Sequence, residues 1–242
     1  MRCFFCETDF AKGLISADKL ESSELNHIFK VLRAKSGTEL LLNNGKGSLA
    51  QAIVLNKLEF EITKVMNFEK PRKSIHLFVS PPKKNSLDLI LKQCVETGIN
   101  SINFIKTVNS VAMHKGEKFK QQIINKLKEA CKQAHNPFMP EVEIELKLSD
   151  LPEISKNYDA LFFGSTENCS EHYATDHAFE QIKFSKNESL SKIGWLVGPE
   201  GGFSREEVVF LKEIGVRPLQ LGQWVMRVET ACTAGIVSLR NF

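Results

Sequence analysis

Ile193-Gly194-Trp195-Leu196-Val197-Gly198-Pro199-Glu200-Gly201-Gly202-Phe203-Ser204 reads as an apolar strand that runs straight into a glycine-rich turn. A short run of apolar and small residues without alternation suits a strand covered on both faces, as in a parallel sheet. Glycines at the end of such a strand leave no Cβ between the backbone amides and an approaching ligand. The turn is therefore read as the floor of a pocket, and it points to a cofactor-using enzyme. Ser204 followed by Glu207 has the spacing of a capping box and predicts a helix through Ile214. Further on, Leu221-Gly222-Gln223 offers a second loop able to hug a ligand. The segment Met226-Arg227-Val228-Glu229-Thr230-Ala231 adds charged groups beside it.

Working back toward the N-terminus, the same alternation of strands and helices continues. Ile75–Val79 and Ser101–Ile105 predict strands, with a helix over Leu87–Thr97 ended by Gly98 between them. A long helix from Lys118 to Ala134 stops at Asn136-Pro137, and strands follow at Val142–Leu146 and Ala160–Phe163. This order implies a mostly parallel sheet covered on both faces. Residues 165–191 are polar and read as a loop. The first 70 residues are different: short strands and turns, with one helix over Ser22–Leu32 and an Asn43-Asn44-Gly45-Lys46-Gly47 turn that tolerates positive φ. They predict a small β-barrel-like domain over 1–70 and an α/β domain over 74–242, joined by the polar, proline-containing stretch at Asn67–Lys73.

Composition bounds the function classes. With 242 residues, 42% hydrophobic and 25% charged, the chain has the make-up of an ordinary soluble globular protein. No stretch approaches the ~20 apolar residues of a membrane span. The N-terminus is acidic too soon, at Glu7 and Asp9, for a secretory signal. The six cysteines lack a disulfide framework and are read as reduced thiols of a cytoplasmic protein. Cys3-x-x-Cys6 has no second Cys/His pair at zinc spacing, so a strand is the better reading there. The net charge of +3 is small, but residues 1–74 hold 12 Lys/Arg against 9 Asp/Glu, so the excess lies in the first third. That permits an RNA-facing accessory domain. Dinucleotide, Walker and metal-ligand signatures are missing, and His172 and His177 read as solvated rather than ligating.

The motifs that remain are ordered along the whole chain. They are His27-Ile28-Phe29-Lys30-Val31-Leu32-Arg33, Asn44-Gly45, Pro82-Lys83, Lys92 with Glu96-Thr97-Gly98-Ile99, and Glu129-Ala130-Cys131-Lys132-Gln133 ahead of Pro140. Gly198 to Ser204 and Leu221-Gly222 through Ala231 complete the set. Together they resemble the RsmE family, SPOUT-superfamily methyltransferases that act on N3 of a uridine in 16S ribosomal RNA of the 30S subunit. The resemblance implies an N-terminal PUA-like β-barrel and a C-terminal α/β domain whose end is threaded through a trefoil knot. General topology rules argue against a knot, so that expectation rests on resemblance alone. The family also implies S-adenosyl-L-methionine as methyl donor and a homodimer, with the active site near the knot and the dimer interface; the missing metal-ligand spacing adds the expectation of no metal.

Those expectations fit the residues. A sulfonium-bearing donor with an adenine ring needs backbone hydrogen bonds, apolar walls and few competing cations. Gly198, Pro199, Glu200, Gly201 and Gly202 offer the backbone, and Leu219, Leu221, Gly222, Trp224, Val225, Met226 and Thr230 the walls. Uracil N3 is a poor nucleophile until its proton leaves or the resulting charge is stabilised. Arg227 suits a developing uracilate oxygen, and Glu200 or Glu229 suits orienting that arginine or accepting the proton. Glu229 has an equal structural reading, as an acidic residue in the first turn of the last helix. His27, Lys30 and Arg33 could contact RNA phosphate from the barrel domain, and the family pattern implies that Lys83, Lys92 and Gln133 face RNA or a partner subunit, a solvated helix face being an equal reading for Lys92. Two departures remove positive charge: Asn136 stands where the family often has arginine, and Asn109-Ser110-Val111 replaces Arg-Ser-Val. Two other functions therefore stay open, a SPOUT enzyme acting on a ribose 2′-oxygen or another RNA, and an RNA-binding assembly factor without catalysis.

Overall fold

The computed structural model describes residues 1–82, 84–110, 116–166 and 190–241. The chain divides into two compact units, Met1–Lys70 with Leu127–Met139, and Pro71–Lys126 with Pro140–Phe242.

In the first unit the strands are β1 (Arg2–Phe5), β2 (Gly13–Ser16), β3 (Glu39–Asn43), β4 (Ser48–Val54) and β5 (Glu59–Asn67). They form a five-stranded sheet in the order β1-β3-β4-β5-β2, antiparallel except for β1 against β3. Inward residues at alternate positions, Leu40 and Leu42, Ala50 and Ala52, Phe60 and Ile62, make one buried core with Phe4 and Ile28. The expected helix over Ser22–Leu32 is not one regular helix. Its first part is α1 (Ser22–Asn26), and His27–Val31 continues as a π turn. The Asn43–Gly47 turn forms as its composition requires: Asn43 Oδ1 accepts from Gly45 N at 2.8 Å, and Gly45 and Gly47 take φ of 70° and 114°. Cys3 and Cys6 lie in or beside β1, where burial pushes their thiols up to about 12 and about 11.

The second unit holds a six-stranded sheet in which every pairing is parallel. In chain order its elements begin β6 (Ser74–Val79), α2 (Lys84–Glu96), β7 (Ser101–Lys106) and α3 (Glu117–Ala134). They continue with β8 (Glu141–Lys147), α4 (Leu151–Ser155), β9 (Ala160–Gly164) and β10 (Lys192–Val197). Helix α5 (Arg205–Glu213), β11 (Arg217–Leu219) and α6 (Val228–Arg240) complete it. The order is β11-β9-β10-β6-β7-β8, so β10 lies inside the sheet and all its residues from Ile193 to Val197 are buried. Strand β11 is a finding beyond the sequence reading. Three residues with a proline carry no periodicity, and an edge position tolerates the missing N–H. The last eight residues of α3 are counted with the first unit, although the sequence reading gave them to the domain over 74–242. The reason lies in local bonds: Lys132 pairs with Glu24 at 2.7 Å, both buried, and Lys128 with Glu7 at 2.6 Å.

Two close contacts fix the last helix on the sheet. Trp195 of β10 is fully buried and donates from Nε1 to Ala231 O at 3.1 Å. A Cβ on Gly235 would stand 2.2 Å from the same indole, so only glycine lets α6 lie this close. On β6, His76 Nδ1 meets Ser101 Oγ at 2.7 Å, while Nε2 is buried without a hydrogen-bond partner among the described residues. Burial, helped by the charge of Lys192, lowers its pKa to about 4, so the ring is neutral near pH 7.

Candidate active site

Carboxyl ends of parallel strands gather loops on one rim of the sheet, and ligands bind there in open α/β folds. At this rim Ser80 follows β6, Thr107 follows β7 and Gly198 follows β10. Ser80 N donates to Val197 O at 3.2 Å, and the Ser80 hydroxyl meets those of Ser110 (2.6 Å) and Thr107 (3.2 Å). This small hydroxyl network joins neighbouring strand ends beneath the glycine turn.

The turn is held from both sides. Gly202 takes φ of 70°, and its N–H donates to Pro199 O at 2.8 Å. Its amide is thus used inside the turn, whereas the sequence reading offered it to a ligand. Ser204 caps α5 as expected: Glu207 N donates to Ser204 Oγ at 3.2 Å, and Ser204 N to Glu207 Oε2 at 2.8 Å. The buried Glu207 has a second task, because its Oε1 accepts from Val108 N at 2.7 Å. Next to it, Asn109 Nδ2 donates to the carbonyls of Gly201 (3.3 Å) and Gly202 (3.0 Å). The asparagine in the expected arginine position is therefore a latch on the glycine turn.

A cavity of about 640 Å³ opens over this rim. Its wall includes Gly198, Pro199, Glu200, Gly201, Gly202, Leu219, Leu221, Gly222, Trp224, Val225, Met226, Arg227 and Glu229. The two segments singled out in the sequence thus meet in one place. Thr230 does not join them; it is exposed and off the cavity wall, since its helical neighbours Val228, Glu229 and Ala231 take the inward positions. The sequence reading missed Gly164, Ser165 and Thr166 after β9, together with Ser86. The signal for the first three was available, because they follow a strand of the same parallel sheet.

Among the described residues, the charged side chains on the wall are Glu200, Arg227 and Glu229, two acids against one base. Arg227 is exposed at the N-cap of α6, and Glu229 stands in the first turn of that helix. Among the described residues, neither carboxylate forms an ion pair with Arg227. An acidic balance around largely apolar walls suits an organic cation, and the volume lies within the ~300–1,000 Å³ of small-ligand sites.

The residues expected to meet RNA separate. His27 and Gln133 line a second cavity, in the first unit. Lys30 and Arg33 are exposed and lie off its wall, Arg33 with φ of 56°. Lys92 is exposed on α2 of the second unit. Lys83, His172, His177 and Val111 lie outside the described residues, as does 167–189 of the loop expected over 165–191. Asn136, the other departure, accepts from Phe138 N at 2.9 Å and, through its carbonyl, from Asn43 Nδ2 at 2.8 Å. Among the described residues no cluster of three His, Cys, Asp or Glu could hold a metal ion, and no helix is long and apolar enough to cross a membrane.

A parallel α/β sheet with a cavity at its carboxyl rim is the arrangement of an open α/β ligand-binding domain, here in a chain that also has a small β unit. The family described as RNA methyltransferase domain matches residues 69–240, and the RNA methyltransferase PUA domain matches residues 20–65. The chain belongs to the ribosomal RNA small subunit methyltransferase E family. It is 32% identical to ribosomal RNA small subunit methyltransferase E 2 of Borreliella burgdorferi, over 85% of this chain and 83% of that one. It is 28% identical to the Aquifex aeolicus methyltransferase E over the full length of both chains. Among solved structures, the Neisseria gonorrhoeae methyltransferase E bound to S-adenosyl methionine superposes with a TM-score of 0.81 at 22% identity, covering 100% of this chain and 97% of that one. At that identity the likeness speaks for the fold.

Proposed function

We propose that this chain transfers a methyl group from S-adenosyl-L-methionine to N3 of a uridine in 16S ribosomal RNA of the small subunit. The observation that carries the reading is the cavity over the glycine turn, with Arg227 and Glu229 on its wall, in a chain of the methyltransferase E family. The residues suit the donor. Glu200 and Glu229 favour its positive charge, Leu219, Leu221, Val225 and Met226 give apolar cover, and the turn from Gly198 to Gly202 provides backbone groups for the adenine edge. When bound, the donor supplies an electrophilic methyl group on its sulfonium. Arg227 stabilises the negative charge that develops on a uracil oxygen as N3 loses its proton. One of the two carboxylates, Glu200 or Glu229, takes that proton. The latches at Asn109 and Glu207 keep the turn in one shape before the donor arrives, which lowers the ordering cost of binding.

The same reading assigns the first unit, with its PUA domain match, to RNA binding. It includes a trefoil knot at the C-terminal end, a homodimer and a cytoplasmic location; all three rest on the family resemblance. Calorimetry tests the donor assignment. The full chain is expected to bind S-adenosyl-L-methionine in the micromolar range, and no heat at millimolar ligand would overturn it. Sedimentation of the same sample tests the dimer.

A further inference from the structure

The first unit carries a cavity of its own, of about 350 Å³. Its wall is assembled from segments far apart in the chain: Arg2 and Phe4 at β1, His27 where α1 becomes a π turn, and Lys132, Gln133 and His135 around the end of α3. Two motifs that the donor site does not use, the one beginning at His27 and the one ending at Gln133, thus meet at one hollow.

The chemistry of this wall is mixed rather than simply cationic. The Lys132 ammonium is already held by Glu24 Oε1 at 2.7 Å and Glu129 Oε1 at 2.6 Å. The His27 ring meets Phe4 edge-on, with centroids 5.5 Å apart. Among the described residues, the side chains of Arg2, Gln133 and His135 have no hydrogen bond or ion pair, so their donors and acceptors are unspent. His135 is held with φ of 50° directly after the helix, a position where glycine or asparagine is usual. The next residue is tied down, with Asn136 N donating to Cys131 O at 3.0 Å and Asn43 Nδ2 to Asn136 O at 2.8 Å. Strained backbone secured in this way is found where a side chain must be aimed.

We propose that this cavity receives one unpaired nucleotide of the RNA substrate, its base read by Gln133 against the His27 ring and its phosphate met by Arg2. The inference rests on the RNA-methylating reading above. Two carboxylates already claim Lys132, which leaves Arg2 to meet a phosphate; a free phosphate would leave Gln133 and the two imidazoles unused. An amide and two imidazoles instead match the mixed donor and acceptor edge of a splayed base. A paired helix is too wide for such a hollow, so the strand must be single at this point.

The test uses the full chain with Gln133→Ala and Arg2→Ala, both at exposed positions. Each is expected to raise KM for small subunits lacking the methyl group by about tenfold, which corresponds to ~1.4 kcal/mol. The kcat, the melting temperature and the dissociation constant for the donor should stay within experimental scatter of the parent; a structural role would move the last two. In a second arm, ¹H–¹⁵N spectra are recorded with each of the four ribonucleoside monophosphates and with inorganic phosphate. At least one nucleotide should shift the Gln133 side-chain amide and the His27 ring, and phosphate should shift neither. Unchanged KM in both variants, or the same shifts with phosphate alone, would overturn the proposal. If the parent chain transfers no methyl group at all, the enzymatic reading fails, and the nucleotide titration still decides the pocket.

Discussion

The two cavities are built in different ways. That of the second unit combines a glycine turn at the end of a buried strand with apolar side chains, among them Leu219, Leu221, Val225 and Met226, and among the described residues three charged side chains stand on its wall. That of the first unit is shaped by side chains, Arg2, His27, Lys132, Gln133 and His135, collected from distant segments. On the proposed reading the first of these serves a donor that is the same molecule in every turnover, so a glycine turn and fixed apolar walls suffice. Recognition of a nucleotide needs side-chain donors and acceptors, which sequence changes adjust one at a time. The contrast predicts that damage to the first site appears in donor affinity or the chemical step, and damage to the second in substrate KM.

Four changes would break or sharpen that contrast. Arg227→Ala is expected to have the largest effect, a loss of methyl transfer of about 10²–10³-fold, as for removal of one oxyanion donor. Arg227 is exposed, so its melting temperature and donor affinity should stay near those of the parent. Full activity would take Arg227 out of the mechanism. Gly235→Ala comes next. Its Cβ would stand 2.2 Å from the buried Trp195 indole. Overpacking of this kind costs ~1–3 kcal/mol and lowers the melting temperature by roughly 2–4 °C per kcal/mol. An unshifted thermal melt would mean that α6 does not need its close seat on β10.

Asn109→Ala should weaken donor binding by about tenfold in calorimetry, the size of effect expected when one or two hydrogen bonds shaping a turn are lost. Asn109→Asp should do the same, since a carboxylate cannot donate to the Gly201 and Gly202 carbonyls. Equal affinity in both variants would show that the backbone holds its shape without the latch. The smallest effect is expected on the pH profile of stability. His76 stays neutral in the fold down to about 4, while the unfolded chain takes up the proton near 6.5. Its contribution is therefore complete above about 6.5 and drains away as pH falls toward 4. His76→Phe should flatten the fall of melting temperature across that window. A profile parallel to the parent's would rule out His76 as its source.

What was legible in the sequence followed from local rules. The β10 strand, the positive-φ Asn43–Gly47 turn, the Ser204–Glu207 capping box and the strand–helix alternation that implies a parallel sheet each depend on residues close together in the chain. The two halves of the cavity over the glycine turn were also legible, because glycines and apolar residues mark them. What the sequence hid depends on separation along the chain. Asn109 reaches carbonyls 92 and 93 positions away, and Lys132 pairs with a glutamate 108 positions away. The short strand β11 and the π turn at His27–Val31 hid for another reason, since neither carries a pattern of its own. Thr230 lies off the cavity wall because helix phase turns it outward, which the order of residues in the motif does not display.

The central claim is tested most directly by methyl transfer with nucleotide mapping. Small subunits from cells lacking the modification are incubated with the full chain and labelled S-adenosyl-L-methionine, and the 16S RNA is digested for mass spectrometry. The account predicts a single labelled nucleoside, uridine methylated at N3. Label on a ribose 2′-oxygen, or none at all, would contradict it.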